Sequence, residues 1–180
     1  AVDDSLAAYQ ELQEKHPDAC ISISGDSAGA GLALSLGFEL LARGQQPAAY
    51  MLFCPWTDLR LENESIKRNR QAEPMLTKEL LAMAAEYYAA GQPLDTLGLS
   101  PALGDFSGFA PMYIQAAGRD ILLDDARVVA QKAKEAGVAA KLDVFADHGH
   151  DFQATPDIVP EAQRAVMMAG AWIKATCVPS

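Results

Sequence analysis

Basic surface is the first thing this sequence lacks. Its 180 residues hold 14 Lys and Arg against 24 Asp and Glu, a formal net charge of -10, and no basic run exceeds two residues. A phosphate backbone is met by clustered positive charge, so this balance argues against a nucleic-acid partner. There is no long uninterrupted apolar span and no charged-then-apolar leader, which speaks against a membrane helix and a signal peptide. Cysteine is scarce too: Cys20, Cys54 and Cys177 stand far apart. They are expected to be buried thiols of a reducing, cytoplasmic setting and not a disulfide framework or a zinc knuckle. No Gly-Gly pair occurs anywhere in the chain. What is plentiful is apolar bulk: half of the residues are hydrophobic, enough for one sizeable core and one domain over 1–180.

The chain is organised around Cys20 to Gly31, CISISGDSAGAG. Ile21 and Ile23 alternate with Ser22 and Ser24, as in a short strand. Gly25-Asp26-Ser27-Ala28-Gly29 then forms a G-x-S-x-G, followed by small and aliphatic residues without proline, which suits a helix. A serine on so sharp a strand-to-helix turn projects its hydroxyl above the sheet edge, and glycines let neighbouring groups pass close by. The helix N-terminus beyond it favours negative charge developing nearby. Ser27 therefore reads as a nucleophile. The pentapeptide alone is weak, since a chain of this size shows it by chance roughly 6 per cent of the time; a Gly-rich turn cradling a phosphate is the competing interpretation.

In chain order, residues 4–15 read as a helix with Leu6, Tyr9 and Leu12 on one side and Asp4 as its cap. The helix after Ser27 carries Leu32, Ala33, Leu36 and Leu40 and meets Arg43, Gly44 and Pro47, a full set of stop signals. Ala49 to Cys54 is a continuous apolar run, the mark of a strand buried on both faces. Residues 57–76 are polar and irregular. Thr77 caps a helix with Leu80, Leu81, Ala84, Tyr87 and Tyr88 on its apolar side. A third strand runs from Met112 to Ala117, and a helix opened by Asp124 and Asp125 carries Ala126, Val129, Ala130 and Ala133 to Gly137. A fourth strand spans about 140–146, and a last helix runs from Pro160 to Ala175 with Val166, Ala169 and Ile173 buried. Alternating strands and helices imply an α/β fold: a mostly parallel sheet of about four strands with flanking helices. The segment 57–110 is too long for a plain crossover and reads as a cap-like excursion over the strand ends, where ligands sit in such sheets.

In a parallel sheet the loops after the strands gather on one edge. Ser27 follows the first strand, Gly118-Arg119-Asp120 the third, and Asp147-His148-Gly149-His150-Asp151-Phe152 the fourth. Serine, acid and histidine thus appear in the order of a hydrolase triad. The chemistry needs all three: an imidazole must take the hydroxyl proton as attack proceeds, and a carboxylate fixes the imidazole tautomer and steadies the imidazolium. Asp120 is preferred as the acid because it lies nearest its strand end, with Asp124 and Asp125 as alternatives, and His148 is the rival to His150. DHGHD at 147–151 also admits a zinc interpretation, although a complete hydrolytic site needs further ligands and the only other histidine is His16, far upstream. Asp26 and Trp56 read as structural. Met83, Tyr87 and Tyr88 either line an acyl pocket or simply pack.

At these residues the chain resembles the bacterial hormone-sensitive-lipase-like carboxylesterases, an α/β-hydrolase family. GDSAGAG at 25–31 is similar to that family's GDSAGGG elbow, and CPWTDL at 54–59 to its S-P-W-x-D-L strand end. SPALGDFSGFAPMYIQAAGRDILLDD at 100–125 resembles the segment carrying its acid, and GHDFQ at 149–153 its H-x-F-Q loop. The resemblance implies Ser27 as nucleophile, Asp120 as acid, His150 as base and Ala28 as an oxyanion donor through its backbone N–H. It also implies short-chain acyl esters as substrates and no cofactor or metal. It covers only the C-terminal portion of the family: the HGGG-type loop that completes the oxyanion hole and the N-terminal half of the sheet have no counterpart here. The chain therefore reads as truncated, with an unpartnered elbow strand that favours homo-oligomers or pairing with a missing N-terminal segment. A weakly active or inactive scaffold is the alternative.

Overall fold

The structure is a computed structural model that describes residues 1–177; the last three positions of the unit expected over 1–180 lie outside the described residues. Its centre is a parallel sheet in the order β1-β2-β3-β4, formed by Ile23–Asp26, Tyr50–Phe53, Met112–Ala117 and Ala140–Phe145. Register is set by Ile23 opposite Tyr50, Tyr50 opposite Met112, and Met112 opposite Ala140. β2 and β3 lie in mid-sheet, and their near-continuous apolar sequence follows from cover on both faces. Tyr50, Leu52, Met112, Ile114 and Ala116 point to one side, into a core shared with α2 (Ser27–Ala42) and α5 (Leu123–Glu135). Met51 and Tyr113 point to the other, where α6 (Pro160–Thr176) lies. α1 (Val2–Lys15) packs Leu6 and Tyr9 against Leu36 and Leu40 of α2. The long β2–β3 connection holds α3 (Ser65–Arg68) and α4 (Lys78–Ala89).

Several expectations need correction. The first strand starts two residues later than Ile21, because parallel pairing with β2 begins at Ile23. Asp4 does not cap α1; the helix starts at Val2, and the Asp4 carboxylate pairs with the terminal amine. The stretch 57–76 is not wholly irregular, since α3 lies within it. Thr77 does cap α4, accepting from the Leu80 N–H, but the helix buries Leu81, Ala85 and Ala89 and leaves Leu80, Tyr87 and Tyr88 exposed. In α6 the buried residues are Ala162, Ala165 and Ala169, with Val166 exposed: close packing on the sheet selects the smallest side chains.

The cysteine expectation fails on topology. The end of α6 returns beside the segment that leads into β1, and Cys20 and Cys177 form a disulfide across 157 residues, their Cα atoms 5.6 Å apart. Spacing in sequence carries no information on such a pairing. The case for a reducing compartment rested on three free thiols, and only Cys54 is left as a free, buried one. No helix among the described residues is long and apolar enough to cross a membrane.

Candidate active site

β1 runs directly into α2 with Ser27 at the joint, its φ of +50° in the left-handed region that side chains rarely adopt. Two features hold this strained turn. Gly25 leaves room for it, since a Cβ there would sit 2.3 Å from the Gly29 carbonyl oxygen. The Trp56 N–H, just past β2, donates to the Ser27 carbonyl at 3.0 Å. Ala28 follows in the first turn of α2, where N–H groups have no partner within the helix. Asp26 is exposed and its side chain makes no capping bond.

β3 and β4 are neighbours, so the loops that follow them meet. The Gly118 N–H donates to the Phe145 carbonyl at 2.8 Å and the Arg119 N–H to the His148 carbonyl at 3.0 Å. Three side chains converge above them. His150 Nδ1 lies 2.7 Å from Asp120 Oδ2, and His150 Nε2 lies 2.8 Å from Ser27 Oγ. Asp120 and His150 are buried, and Ser27 is half-buried at the mouth. An imidazole linked in this way to a hydroxyl and a carboxylate can accept the hydroxyl proton on one nitrogen while the other stays oriented by the carboxylate.

The rivals are engaged elsewhere. Asp125 is buried and accepts from the Thr57 and Asp58 N–H groups and from Asn63 Nδ2, at 2.7, 2.9 and 2.7 Å. Asp124 accepts from the Ser65 N–H and pairs with Arg68 and Arg127. His148 stacks on Phe152, with ring centroids 4.5 Å apart. Both ring nitrogens of His150 are taken up by Asp120 and Ser27, so the His-x-His pair does not converge as ligands.

Sequence reasoning missed the residues that hold the loops in place. Asn69, at the end of α3, donates through Nδ2 to the Gly118 and Asp120 carbonyls at 3.0 and 2.7 Å. Glu73 is buried, and its Oε2 accepts the His150 N–H at 2.9 Å while Oε1 accepts from the Met75 and Leu76 N–H groups. The Glu73 N–H in turn donates to the Asn69 carbonyl at 3.0 Å. One short segment thus grips both the acid loop and the histidine loop. No local pattern signals this grip, because the partners in the two loops, Gly118, Asp120 and His150, are distant in sequence.

A family model described as alpha/beta hydrolase fold matches residues 1–154. The chain belongs to the alpha/beta-hydrolase fold family. It is 37% identical over 177 residues to an acetyl-hydrolase of Streptomyces hygroscopicus, covering 97% of this chain and 59% of that protein. An esterase of Acinetobacter venetianus is 33% identical over 171 residues, with 92% and 56% covered. Among solved structures, an esterase from the bacterial hormone-sensitive lipase family superposes with a TM-score of 0.95 at 34% identity, covering 98% of this chain and 60% of that one. The chain spans about three fifths of the length of these relatives, and the likeness to hormone-sensitive-lipase-type esterases expected from its motifs is borne out.

In this alpha/beta-hydrolase chain the histidine sits in a strongly acidic setting. Burial opposes a charge on His150, yet hydrogen bonds to Asp120 and Asp151 outweigh it and carry the imidazole up to about 10. Burial pushes the Asp120 carboxyl up, and the bond to His150 pulls it back. The buried Cys54 thiol, at the end of β2, is also held well above its usual range by burial.

Beside Ser27 an apolar cavity of about 280 Å³ opens, lined by Ala28 and Gly29 on the elbow, Trp56 and Leu59 after β2, and Ala84 and Tyr88 on α4. Tyr88 of the three expected pocket residues is at the cavity, whereas Met83 and Tyr87 are absent from its lining and largely exposed. Trp56 is buried, as expected of a structural residue, and also lines this cavity.

Proposed function

We propose that the chain carries the active site of a serine carboxylic ester hydrolase acting on short-chain acyl esters. The single observation behind this reading is the relay Ser27 Oγ to His150 Nε2 at 2.8 Å and His150 Nδ1 to Asp120 Oδ2 at 2.7 Å. Ser27 Oγ attacks the ester carbonyl carbon as its proton passes to His150 Nε2. The tetrahedral oxyanion accepts the Ala28 N–H, and Asp120 steadies the imidazolium. Collapse expels the alcohol, which takes the proton from Nε2 and leaves an acyl-serine. A water then repeats the attack with His150 as base and releases the acid. Every step is proton transfer and acyl transfer, so no cofactor is invoked. The cavity of about 280 Å³ beside Ala28 is in keeping with a small acyl or alcohol group, and relatives named acetyl-hydrolase and esterase support the reaction class. The segment 57–110 acts as a cap-like cover, with α4 forming the cavity's outer wall.

A second reading has its own observation. β1 is an edge strand: among the described residues nothing pairs with its outer side, and Ile21, Ile23, Leu32 and Leu36 line an open groove there. Such an edge recruits another strand. The site would then reach full activity only with a further segment or a second copy seated on β1, which also supplies the oxyanion donors that no Gly-Gly loop provides here. Losing one such donor typically costs about 100- to 1,000-fold in turnover.

Hydrolysis of a chromogenic acetate or butyrate ester by the parent and by Ser27→Ala tests the first reading. A rate that falls to the uncatalysed background in Ser27→Ala is expected, and equal rates would reject it. Light scattering at high concentration tests the second, with a monodisperse monomer counting against it.

A further inference from the structure

His150 Nε2 has two neighbours, not one. Besides Ser27 Oγ at 2.8 Å, the Asp151 Oδ2 atom lies 3.1 Å away. A neutral imidazole with its proton on Nδ1, facing Asp120, presents a lone pair at Nε2. A carboxylate oxygen at hydrogen-bond distance from that lone pair is repelled; it is attracted only when Nε2 carries a proton.

Three further observations show that Asp151 is directed there. First, it occupies the N-cap position of the 3₁₀ turn Phe152–Ala154, where an aspartate ordinarily accepts a backbone N–H, yet its side chain makes no capping bond. Second, its backbone is left-handed, φ +50°, a conformation costly for a side-chain-bearing residue and kept only where the surroundings impose it. Third, its Oδ1 is buried with no hydrogen-bond partner. The carboxylate thus gives up its local cap and one oxygen's satisfaction, and its contact with Nε2 is the interaction that compensates. Sequence reasoning placed Asp151 in the tail of the histidine loop and in the zinc interpretation of residues 147–151, not as a partner of the His150 ring.

We propose that Asp151 is a second carboxylate partner of His150, gripping the protonated imidazole at Nε2 in competition with Ser27. The proposal rests on the esterase reading above for its catalytic consequence. With the proton shared at Nε2, the Ser27 hydroxyl has no base to receive its own proton, so the resting site is held as the acid form. The same grip favours the imidazolium that forms as Ser27 attacks. Asp151 therefore slows entry into the reaction at neutral pH and strengthens the charged intermediate once the base is free.

The other groups facing His150 set the background. Asp120 meets Nδ1, the Glu73 carboxylate accepts the backbone N–H, and the Cys54 thiol completes a cluster with His150 and Asp151 whose polar atoms lie within 4.8 Å of one another. Arg119, the nearest cation in the adjoining loop, is turned to Asp147 at 3.4 Å. These groups also face His150 when Asp151 is replaced, so a substitution there isolates a single charge.

The test reads the imidazole directly. The chain has three histidines, His16, His148 and His150, whose ring Cε1–H signals can be assigned by NMR with His16→Gln and His148→Gln. Removing a carboxylate at this distance should lower the His150 midpoint by about one unit or more, in both Asp151→Asn and Asp151→Gly. The glycine variant suits the left-handed backbone, so a folding defect in one variant does not leave the question open. Asp151→Glu should restore part of the shift. In ester hydrolysis, the acid limb of kcat/KM should move down with that midpoint, so that Asp151→Asn is faster than the parent below it and slower above it. A merely structural role would lower the whole profile without crossing. Coincident His150 midpoints in parent, Asn and Gly variants overturn the proposal. If Ser27→Ala hydrolyses ester as fast as the parent, the esterase reading fails instead, and the NMR titration still decides whether Asp151 grips His150.

Discussion

Glu73 offers the sharpest way to separate the machinery of the site from the segment that holds it. Its carboxylate accepts three amide protons, from His150 at 2.9 Å, Met75 at 2.8 Å and Leu76 at 3.3 Å, in a buried setting. Glu73→Gln keeps the shape but has one carbonyl oxygen and one NH₂, and the NH₂ must face a donor on one side or the other. Hydrogen bonds to a charged acceptor contribute about 1.5–3 kcal/mol each, and a stranded buried donor costs a similar amount. A loss of about 3 kcal/mol is therefore expected, or a fall of about 6–12 °C in Tm for a domain of this size. Turnover should fall further than stability alone explains, because the lost bond holds the backbone of His150. A displacement of about 1 Å in a reacting group can cost on the order of 100-fold. Thermal unfolding and kcat for a chromogenic acetate, measured well below Tm, give the two readouts on one protein. Glu73→Asp, one methylene short, should lie between parent and Gln variant in both. A Gln variant with parental Tm and parental kcat would refute the claim that this carboxylate positions the histidine loop.

Reducing the Cys20–Cys177 bond frees a loop of 157 residues' separation, worth about 5 kcal/mol in the chain-entropy limit; Tm should drop on reduction, Cys20→Ser should show the same drop without reductant, and a Tm insensitive to both would contradict the bond. Ala84→Trp, projecting into the cavity beside Ala28, should lower butyrate hydrolysis more than acetate hydrolysis, read as a fall in the ratio of the two kcat/KM values; an unchanged ratio would separate the cavity from the acyl group. Because His150 is carried from 6.5 up to about 10 in the folded chain, its contribution to stability is whole below about 6.5 and is lost as the pH climbs through about 10. Urea unfolding of the parent should accordingly weaken over that window by up to roughly 1.4 kcal/mol per pH unit relative to His150→Gln, and parallel slopes would exclude the linkage.

How much of this was legible in the sequence depended on how far apart the partners stood. β3 and the cap at Thr77 could be read to the residue, because periodicity and capping chemistry are local. The three loop residues could be gathered on one edge because parallel topology places all strand ends on the same side. The Cys20–Cys177 pairing, by contrast, depends on where the end of α6 comes to rest, which no spacing encodes. On α4 the apolar residues at positions 80, 87 and 88 did not mark the buried face, since packing against Trp56, Leu59, Ile66 and Ile121 selected Leu81 and Ala85 and left Leu80, Tyr87 and Tyr88 exposed. Asn69 and Glu73 stood within a stretch read only as polar and irregular. Only their contacts to Gly118, Asp120 and His150 show that this polarity is turned inward.

These contacts give the site an uneven mechanical character. On its acid–base side the backbone is held repeatedly: Arg119 N–H to the His148 carbonyl, Asn69 to Gly118 and Asp120, Glu73 to His150. On the serine side a strained Ser27 leans on α2 packing and one bond from Trp56, and β1 beside it has no outer neighbour among the described residues. A hydrolase needs both halves, since proton transfer and oxyanion binding act on the same tetrahedral centre. If turnover by this chain is feeble, the missing oxyanion donors account for it above the His150 midpoint, and the Asp151 grip on the base adds to it below that midpoint. Such a site should still be acylated at Ser27 by an activated ester, or phosphonylated there by a phosphonate, as a good leaving group departs and lowers the demand on the oxyanion donors, while hydrolysing ordinary alkyl esters slowly.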